Sequence, residues 1–526
     1  MINRRALLRY VPRLTLGGIL TSGVAGRLSS APTVKVTDAA FANIYASLNV
    51  VPLINARGTV TIVGATRMLP EVKEAMDAAS RQYVHIDELM QGVGVRLAEL
   101  TGAEWGCITS GASAAITMAT AACVSGGDPD KLWKIPKLAG MNDEVIIPSY
   151  SRTAYECAAR AVGTKMVEVS SPAALENALG PRTAMILVLT GASSDAGPLS
   201  IKEIAKRAKP LGVPILADAA AEELTVPNKH LMQGADLVAY SGGKCMRGPQ
   251  CAGLLLGRRD LVEASWMVSA PHHGFARGHK VGREEILGML TAVEMWFRRD
   301  HQQENRVWNE WLSHIREKIN PLPKVTTEIS QAGAKLSNRF PTMRIQWDPT
   351  EIPLTGYDVE NLLWNGNPRI AVSGAGSFLP FPPNMQPNIQ INPSQLESGE
   401  EQIIANRLFE ILSKPPTISK ATPTPAFDIN GQWELNMHFC ASSVDQTLFL
   451  EQEAHKLSGT HIGSYAARNL SGTLHGNNIL IRSSYTGDGT RLNFEFSGIV
   501  DGDHMEGNVS LGEYGMAKWT AKRKTY

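Results

Sequence analysis

Three short stretches carry residue types that could do chemistry together. "AYSGGKCMRGPQCAG", Ala239 to Gly253, sets Lys244 among glycines, small residues and a proline. A phosphate-binding loop of the Gly-x-x-x-x-Gly-Lys-[Ser/Thr] kind is excluded, because Cys245 follows the lysine and the glycine spacing is wrong. "LADAA" places Asp218 at the end of an apolar run, and "TSGASAAI" places Ser110 to Ser113 where a helix would begin. A lysine amine can condense with an aldehyde, a buried carboxylate can keep a pyridine nitrogen protonated, and free N–H groups at a helix start attract a phosphate. Taken singly, Asp218 reads as a helix cap, Ser-Gly-Ala-Ser as an N-cap and Gly-Gly-Lys as a turn. Together, in this order, they are the parts that pyridoxal 5'-phosphate needs. Ser110, Gly111, Ala112, Asp218, Ser241 and Lys244 are then the candidate cofactor-binding residues, with Lys244 and Asp218 catalytic.

Positioning these groups requires strands that end at one edge. Between residues 50 and 300, apolar runs ("EVIIPS", "KMVEVS", "AMILVLTG", "VPILAD", "ADLVAYSG", "AGLLLG") alternate with amphipathic stretches such as "SRTAYECAARAVG" and "SIKEIAKRAKPLG". That alternation predicts an α/β domain with a mainly parallel sheet, and in such sheets ligands sit beyond the carboxyl ends of the strands. Residues 281–320 read as helix by their apolar spacing. The expected layout is a leader at 1–31, a cofactor-binding major domain at 32–300, a small α+β domain at 301–414, a Pro/Thr-rich linker at 415–427 and a β domain at 428–526. In the last segment, "GQWELNMHF", "TLFLEQ", "NNILIRSSY", "LNFEFSG" and "AKWTAKR" alternate like strands, and "LSGTHIG", "LSGTLHG" and "FSGIVDG" form a weak repeat. An antiparallel meander or a small closed barrel fits, read as a structural or binding appendage.

Composition narrows the partners. With 51 basic and 50 acidic residues the net charge is +1, without the basic stripe of a nucleic-acid binder. No run of 18 or more apolar residues predicts a spanning helix, so no membrane partner is expected once the leader is removed. The leader pairs Arg4 and Arg5 ahead of "LTLGGILTSGVAG", a pattern like a twin-arginine export signal, which implies a periplasmic protein; a basic N-terminus of a cytoplasmic protein is the alternative. Cys245 and Cys251 lack metal-ligand spacing, so no metal is expected, and most of Cys107, Cys123, Cys157 and Cys440 read as buried thiols.

"TGAEWGCITSGASAAITMATAACVSG", "VPILADAAAEE", "GADLVAYSGGKCMRGPQCAGLLLGRRDLVEA" and "KVGREEILGMLTAVE" resemble the selenocysteine-synthase-related pyridoxal-phosphate enzymes of fold type I. That group includes L-seryl-tRNA(Sec) selenium transferase and D-glucosaminate-6-phosphate ammonia-lyase. The resemblance spans about residues 48 to 412. It implies an aspartate-aminotransferase-like fold and a homodimer or larger homo-oligomer with active sites shared between subunits. It further implies that Lys244 forms the Schiff base, that Asp218 partners the pyridinium and that Ser110 to Ala112 hold the phosphate. Arg67 in "NARGTVTIVGATRMLP", Arg152, and Arg277 and Lys280 in "ARGHKVGREE" would face an anionic substrate, with Arg369 in "NPRIAV" reaching from the small domain. Where relatives often carry His-Arg after the third strand, this chain has Ser151 and Arg152, with Tyr150 near enough to substitute for the histidine. The expected reaction is an α,β-elimination of the ammonia-lyase type on a small amino acid or amino sugar acid. Selenium transfer on seryl-tRNA is the runner-up, and a non-catalytic binding or scaffold protein is the reading from another class.

Overall fold

The computed structural model describes residues 44–331, 333, 336–374, 386–416 and 423–524. The expected leader, and residues 417–422 of the expected linker, lie outside the described residues. Residues up to Pro52 form a unit of their own, in which Ala46–Leu48 makes a 3-10 turn closed by Asn49 in the left-handed conformation.

The unit from Leu53 onward contains three large cores and two smaller apolar clusters among the described residues. β1 (Leu53–Asn55) pairs in parallel with Arg369–Ala371, and Ile54 and Ala56 bury in the second core, so this segment packs on the smaller α+β part. The first core surrounds a seven-stranded sheet built of β2 (Trp105–Thr109), β3 (Glu144–Pro148), β4 (Lys165–Val169), β5 (Thr183–Leu189), β6 (Ile215–Asp218), β7 (Leu237–Ser241) and β8 (Gly253–Gly257). Their spatial order is β2-β8-β7-β6-β5-β3-β4, and β8 alone runs antiparallel to its neighbours. Val145 to Ile147 and Leu237 to Ala239 are buried completely, which is why these strands are continuous apolar runs rather than alternating ones. Full burial of such a side chain contributes about 1.5–3 kcal/mol. The chemistry-bearing segments all leave the sheet at the carboxyl ends of its parallel strands.

Several elements depart from the sequence expectations. β2 was not among the predicted strands; its Gly106 dilutes the apolar signal, yet a Cβ there would sit 2.8 Å from Leu256 and 2.9 Å from Leu97. The helix expected over 281–320 is broken into Arg283–Trp296 and His301–Ile319, because Asp300 accepts from the Gln303 N–H (2.9 Å) and starts a new helix. "SRTAYECAARAVG" is not one amphipathic helix but a 3-10 turn at Ala154–Glu156 running into a four-residue helix at Cys157–Arg160. The Thr153 hydroxyl accepts from Tyr155 N–H (3.3 Å), and Arg152 is drawn to Glu156. Cys157 and Cys440 are exposed rather than buried.

The C-terminal segment is a closed eight-stranded barrel, which settles the choice between meander and barrel. After β9 (Val325–Ser330), β10 (Thr342–Trp347), β11 (Arg369–Ala371), β12 (Ser373–Gly374) and β13 (Asn388–Ile391) of the smaller α+β part, the barrel's strands are β14 (Gly431–His438), β15 (Ser443–Glu453), β16 (Lys456–Ile462), β17 (Ala467–His475), β18 (Asn478–Gly487), β19 (Thr490–Asp501), β20 (His504–Ser510) and β21 (Met516–Arg523). Trp433, Phe496 and Trp519 fill the interior. The repeated Ser-Gly pairs have a packing reason. A Cβ at Gly459, Gly472 or Gly498 would lie 1.9–2.2 Å from a carbonyl oxygen of the neighbouring strand. Glycine in a strand marks such close approach and the tight coiling that closure demands. Among the described residues no helix is long and apolar enough to cross a membrane.

Candidate active site

Lys244 follows β7 in a loop whose backbone is folded on itself. Gly242 N–H donates to Ala252 O (2.8 Å), Gly248 N–H to Gly242 O (2.9 Å) and Arg247 N–H to Lys244 O (3.0 Å). The glycines are there for room rather than for unusual backbone angles: neither Gly242 nor Gly243 has a positive φ. A Cβ on Gly242 would lie 2.5 Å from Met289 Sδ and 2.8 Å from Ala252 O, and one on Gly243 2.8 Å from Gln250 Cα. Gly242→Ala should therefore overpack the loop and cost about 1–3 kcal/mol. A lowered thermal midpoint together with weaker cofactor retention is the expected result; an unchanged melt would show that the loop has slack.

Asp218 ends β6 and is buried; its Oδ1 accepts from Ala220 N–H (3.1 Å). Lys244 is largely buried, and the two side chains attract one another. In both cases burial outweighs that attraction. It raises the proton affinity of the Asp218 carboxyl above the ordinary aspartate range and lowers that of the Lys244 amine below the ordinary lysine range. The result is a lysine more readily neutral, hence nucleophilic, beside a carboxylate that lacks a full counter-charge.

Gly111 occupies the N-cap of the helix Ala112–Ser125 with φ +103, a conformation that favours glycine, and no side chain caps that helix. Gly111 O accepts from Ala115 N–H (3.0 Å), so the N–H groups of the first turn before it have no intrahelical acceptor. The registers Thr109↔Gly253 and Ser241↔Gly253 bring this helix start alongside the end of β7. A Cβ on Gly253 would lie 2.5 Å from the Gly111 carbonyl carbon, so the contact requires glycine at 253, while at 111 it is the positive φ that favours glycine. A buried acid without an ion pair among the described residues, a neutralisable lysine near it and an uncapped helix start thus meet at one sheet edge. These groups fit pyridoxal phosphate: Ser110, Gly111 and Ala112 would hold its phosphate, Asp218 its ring nitrogen and Lys244, with Ser241 near it at the end of β7, its aldehyde.

The candidate substrate cations are distributed differently. Arg67 is half-exposed and pairs with Glu397 and, at 3.6 Å, with Glu400. All three Arg152 guanidinium nitrogens are engaged, with Glu156 (2.6 and 2.8 Å) and Glu168 (2.6 Å), so the structure gives Arg152 a role in holding its own segment. Arg277 and Lys280 are exposed, without an ion pair among the described residues. Arg369 lies over the Trp364 ring (5.0 Å) and donates to Trp364 O (2.9 Å), which uses it in the small domain's packing. The Ser151 hydroxyl accepts from Leu189 N–H (3.0 Å), and the Tyr150 hydroxyl donates to Leu199 O (2.7 Å).

Sequence reading missed a layer beneath the site. Buried Glu222 meets buried His230 (2.5 Å), Asn228 donates to the Tyr240 hydroxyl (2.8 Å), and Arg299 donates to Cys245 O (2.9 Å). These polar groups hold the strand ends and the lysine loop from behind. Local sequence does not mark them: Arg299 stands in the polar run "FRRDHQQEN" and His230 beside Lys229, where a solvated face is the ordinary reading. Two cavities flank the loop on this side, one including Arg67, Arg247 and Glu397, the other Cys245, Arg299 and Arg339; neither reaches Lys244.

A mainly parallel seven-stranded sheet with one antiparallel strand, carrying lysine, aspartate and helix start at its carboxyl edge, defines the fold type I class of pyridoxal-phosphate enzymes. Residues 74–266 match the family described as Cys/Met metabolism PLP-dependent enzyme. The chain is 32% identical over 379 residues to D-glucosaminate-6-phosphate ammonia lyase of Salmonella typhimurium (strain 14028s / SGSC 2262), covering 70% of this chain and 98% of that protein. The solved structure of a D-glucosaminate-6-phosphate ammonia-lyase superposes with a TM-score of 0.61 at 30% identity, over 70% of this chain and 98% of that one. A 5'-C-glycyluridine monooxygenase-decarboxylase of Streptomyces sp is 28% identical, over 70% of this chain and 92% of its own length. The chain belongs to the Cys/Met metabolism family of pyridoxal-phosphate-dependent enzymes.

Proposed function

We propose that the protein binds pyridoxal phosphate at Lys244 and catalyses an ammonia-releasing α,β-elimination on a small amino acid or amino sugar acid, with D-glucosaminate 6-phosphate the first candidate. The observation that carries the reading is the meeting of Lys244, Asp218 and the Gly111 helix start at one sheet edge, in a chain 32% identical to an ammonia lyase. When bound, the cofactor supplies an electron sink for the carbanion at the substrate α-carbon. Lys244 Nζ, partly desolvated and readily neutral, would be the amine that accepts the α-proton. Asp218 would hold a positive charge on the cofactor's ring nitrogen. The α-hydrogen and the β-hydroxyl leave as water, and hydrolysis of the resulting enamine gives a 2-keto acid and ammonia. Anionic ends of the substrate are met by the exposed cations Arg277 and Lys280, with Arg67 after exchange from its glutamates.

The test is a screen of amino acids and amino sugar acids, with and without a 6-phosphate, against purified protein. Ammonia and a 2-keto acid should appear in equal amounts, without oxygen consumption and with mild dependence on salt. Oxygen uptake with release of carbon dioxide would replace the elimination with a decarboxylating oxidation. Tight, steeply salt-sensitive binding of seryl-tRNA would restore the transferase reading. Absence of any bound cofactor would leave a non-catalytic protein.

A further inference from the structure

The barrel's interior is apolar except at one end. There His461, Arg468 and Ser483 are its buried polar residues. His461 and Arg468 face each other across β16 and β17, while Ser483 on β18 faces Phe494 on β19. Arg468 lies over the Phe494 ring (4.3 Å), and its Nε and Nη1 are buried without a hydrogen-bond partner among the described residues. His461 Nε2 donates to Gln446 Oε1 (2.6 Å), which leaves Nδ1 to accept from the Ser483 hydroxyl (2.7 Å). Burial pushes the imidazole down to about 4, so it is neutral at neutral pH and supplies no countercharge. An unpaired guanidinium in a barrel interior is strongly disfavoured, and an aromatic face offsets only part of that cost.

We propose that this end of the barrel is a binding site for a small oxyanion, a carboxylate or phosphate group, held by Arg468 with His461 and Ser483 beside it. A guanidinium is the side chain best suited to such groups. The turn between β16 and β17 leaves an approach: Tyr465 is 99% exposed, and a Cβ on Gly463 would come 3.4 Å from the guanidinium, so the glycine keeps the turn thin there. The same end carries the β18–β19 hairpin, which docks on the catalytic domain. Asp488 pairs with Arg160 (3.3 Å), and Gly489 fits so closely that a Cβ would lie 2.4 Å from Thr153 O. The anion would thus bind next to the contact between barrel and the segment that follows Ser151.

The site is tested on the full chain loaded with pyridoxal phosphate, so that the Gly111 cradle is filled. Inorganic phosphate and acetate are titrated calorimetrically into the natural protein and into Arg468→Met. One of the two anions should bind saturably and lose at least tenfold affinity in the variant, with the cofactor absorbance unchanged; which anion binds tells phosphate from carboxylate. Equal binding by both proteins would overturn the proposal, as would a failure of both anions to bind the natural protein. Should Arg468→Met not fold, crystals of the natural protein soaked in selenate decide the matter. Anomalous density against Arg468 supports the site, and density elsewhere only, or none, removes it.

Discussion

Lys244→Ala should give a folded protein that no longer holds pyridoxal phosphate covalently and turns over its amine substrate slower by about 10²–10⁴-fold, the range that a positioned general base contributes. The fold survives because the loop is held by backbone bonds and by the contacts of Gly242 and Gly243, none of which uses the lysine side chain. Removing a buried amine also removes its desolvation penalty. Borohydride reduction followed by mass spectrometry of the peptide around residue 244 checks the covalent link. Retention of a reducible cofactor in the variant would place the bond on another lysine. A small exogenous amine should restore part of the turnover, since it can carry the α-proton that Lys244 Nζ would have taken. A purely structural lysine would show no such rescue.

What the sequence made legible follows from burial. Lys244 and Asp218 were legible because one follows and the other ends a strand buried on both faces, whose continuous apolar run announces where it stops. β2 was hidden by Gly106, whose missing side chain makes room for Leu97 and Leu256; that requirement belongs to the packed sheet and has no local signature. Arg152 shows the same limit for charge. Its type and position suited an anionic substrate, but one of its partners, Glu168, lies on a different strand and is invisible to local spacing. Glu156, four residues on, was the legible hint. In the barrel, Arg468 stands two residues before buried Leu470, so strand alternation already turned it inward. The strand that contains it was obscured by Gly472, which the crowding of neighbouring backbones requires.

Asp218→Asn separates a catalytic carboxylate from a structural cap by moving activity and stability in opposite directions. An opposite charge within reach shifts a partner's pKa by about 1–3 units. Losing it should lower the protonated fraction of the ring nitrogen, and with it turnover, by about 10–10³-fold. The amide keeps the size of the side chain and its acceptor for Ala220 N–H, so the β6 end stays closed. In the cofactor-free protein the sign is reversed. Burial raises the carboxyl's folded pKa above its unfolded value, so Asp218 favours the fold only while protonated, at acid pH, and that contribution is lost as pH rises through the raised value. At neutral pH its ionised form is a burden that asparagine lacks, and apo Asp218→Asn should melt at or above the natural apo-protein. Adding pyridoxal phosphate should then stabilise the natural protein more than the variant, because only the natural site offers a carboxylate to the ring cation. Paired melts with and without cofactor, read beside turnover, check both halves. Near-normal turnover, or an apo-variant less stable than its parent at neutral pH, would mean that Asp218 serves the fold and that the ring nitrogen is held by another group.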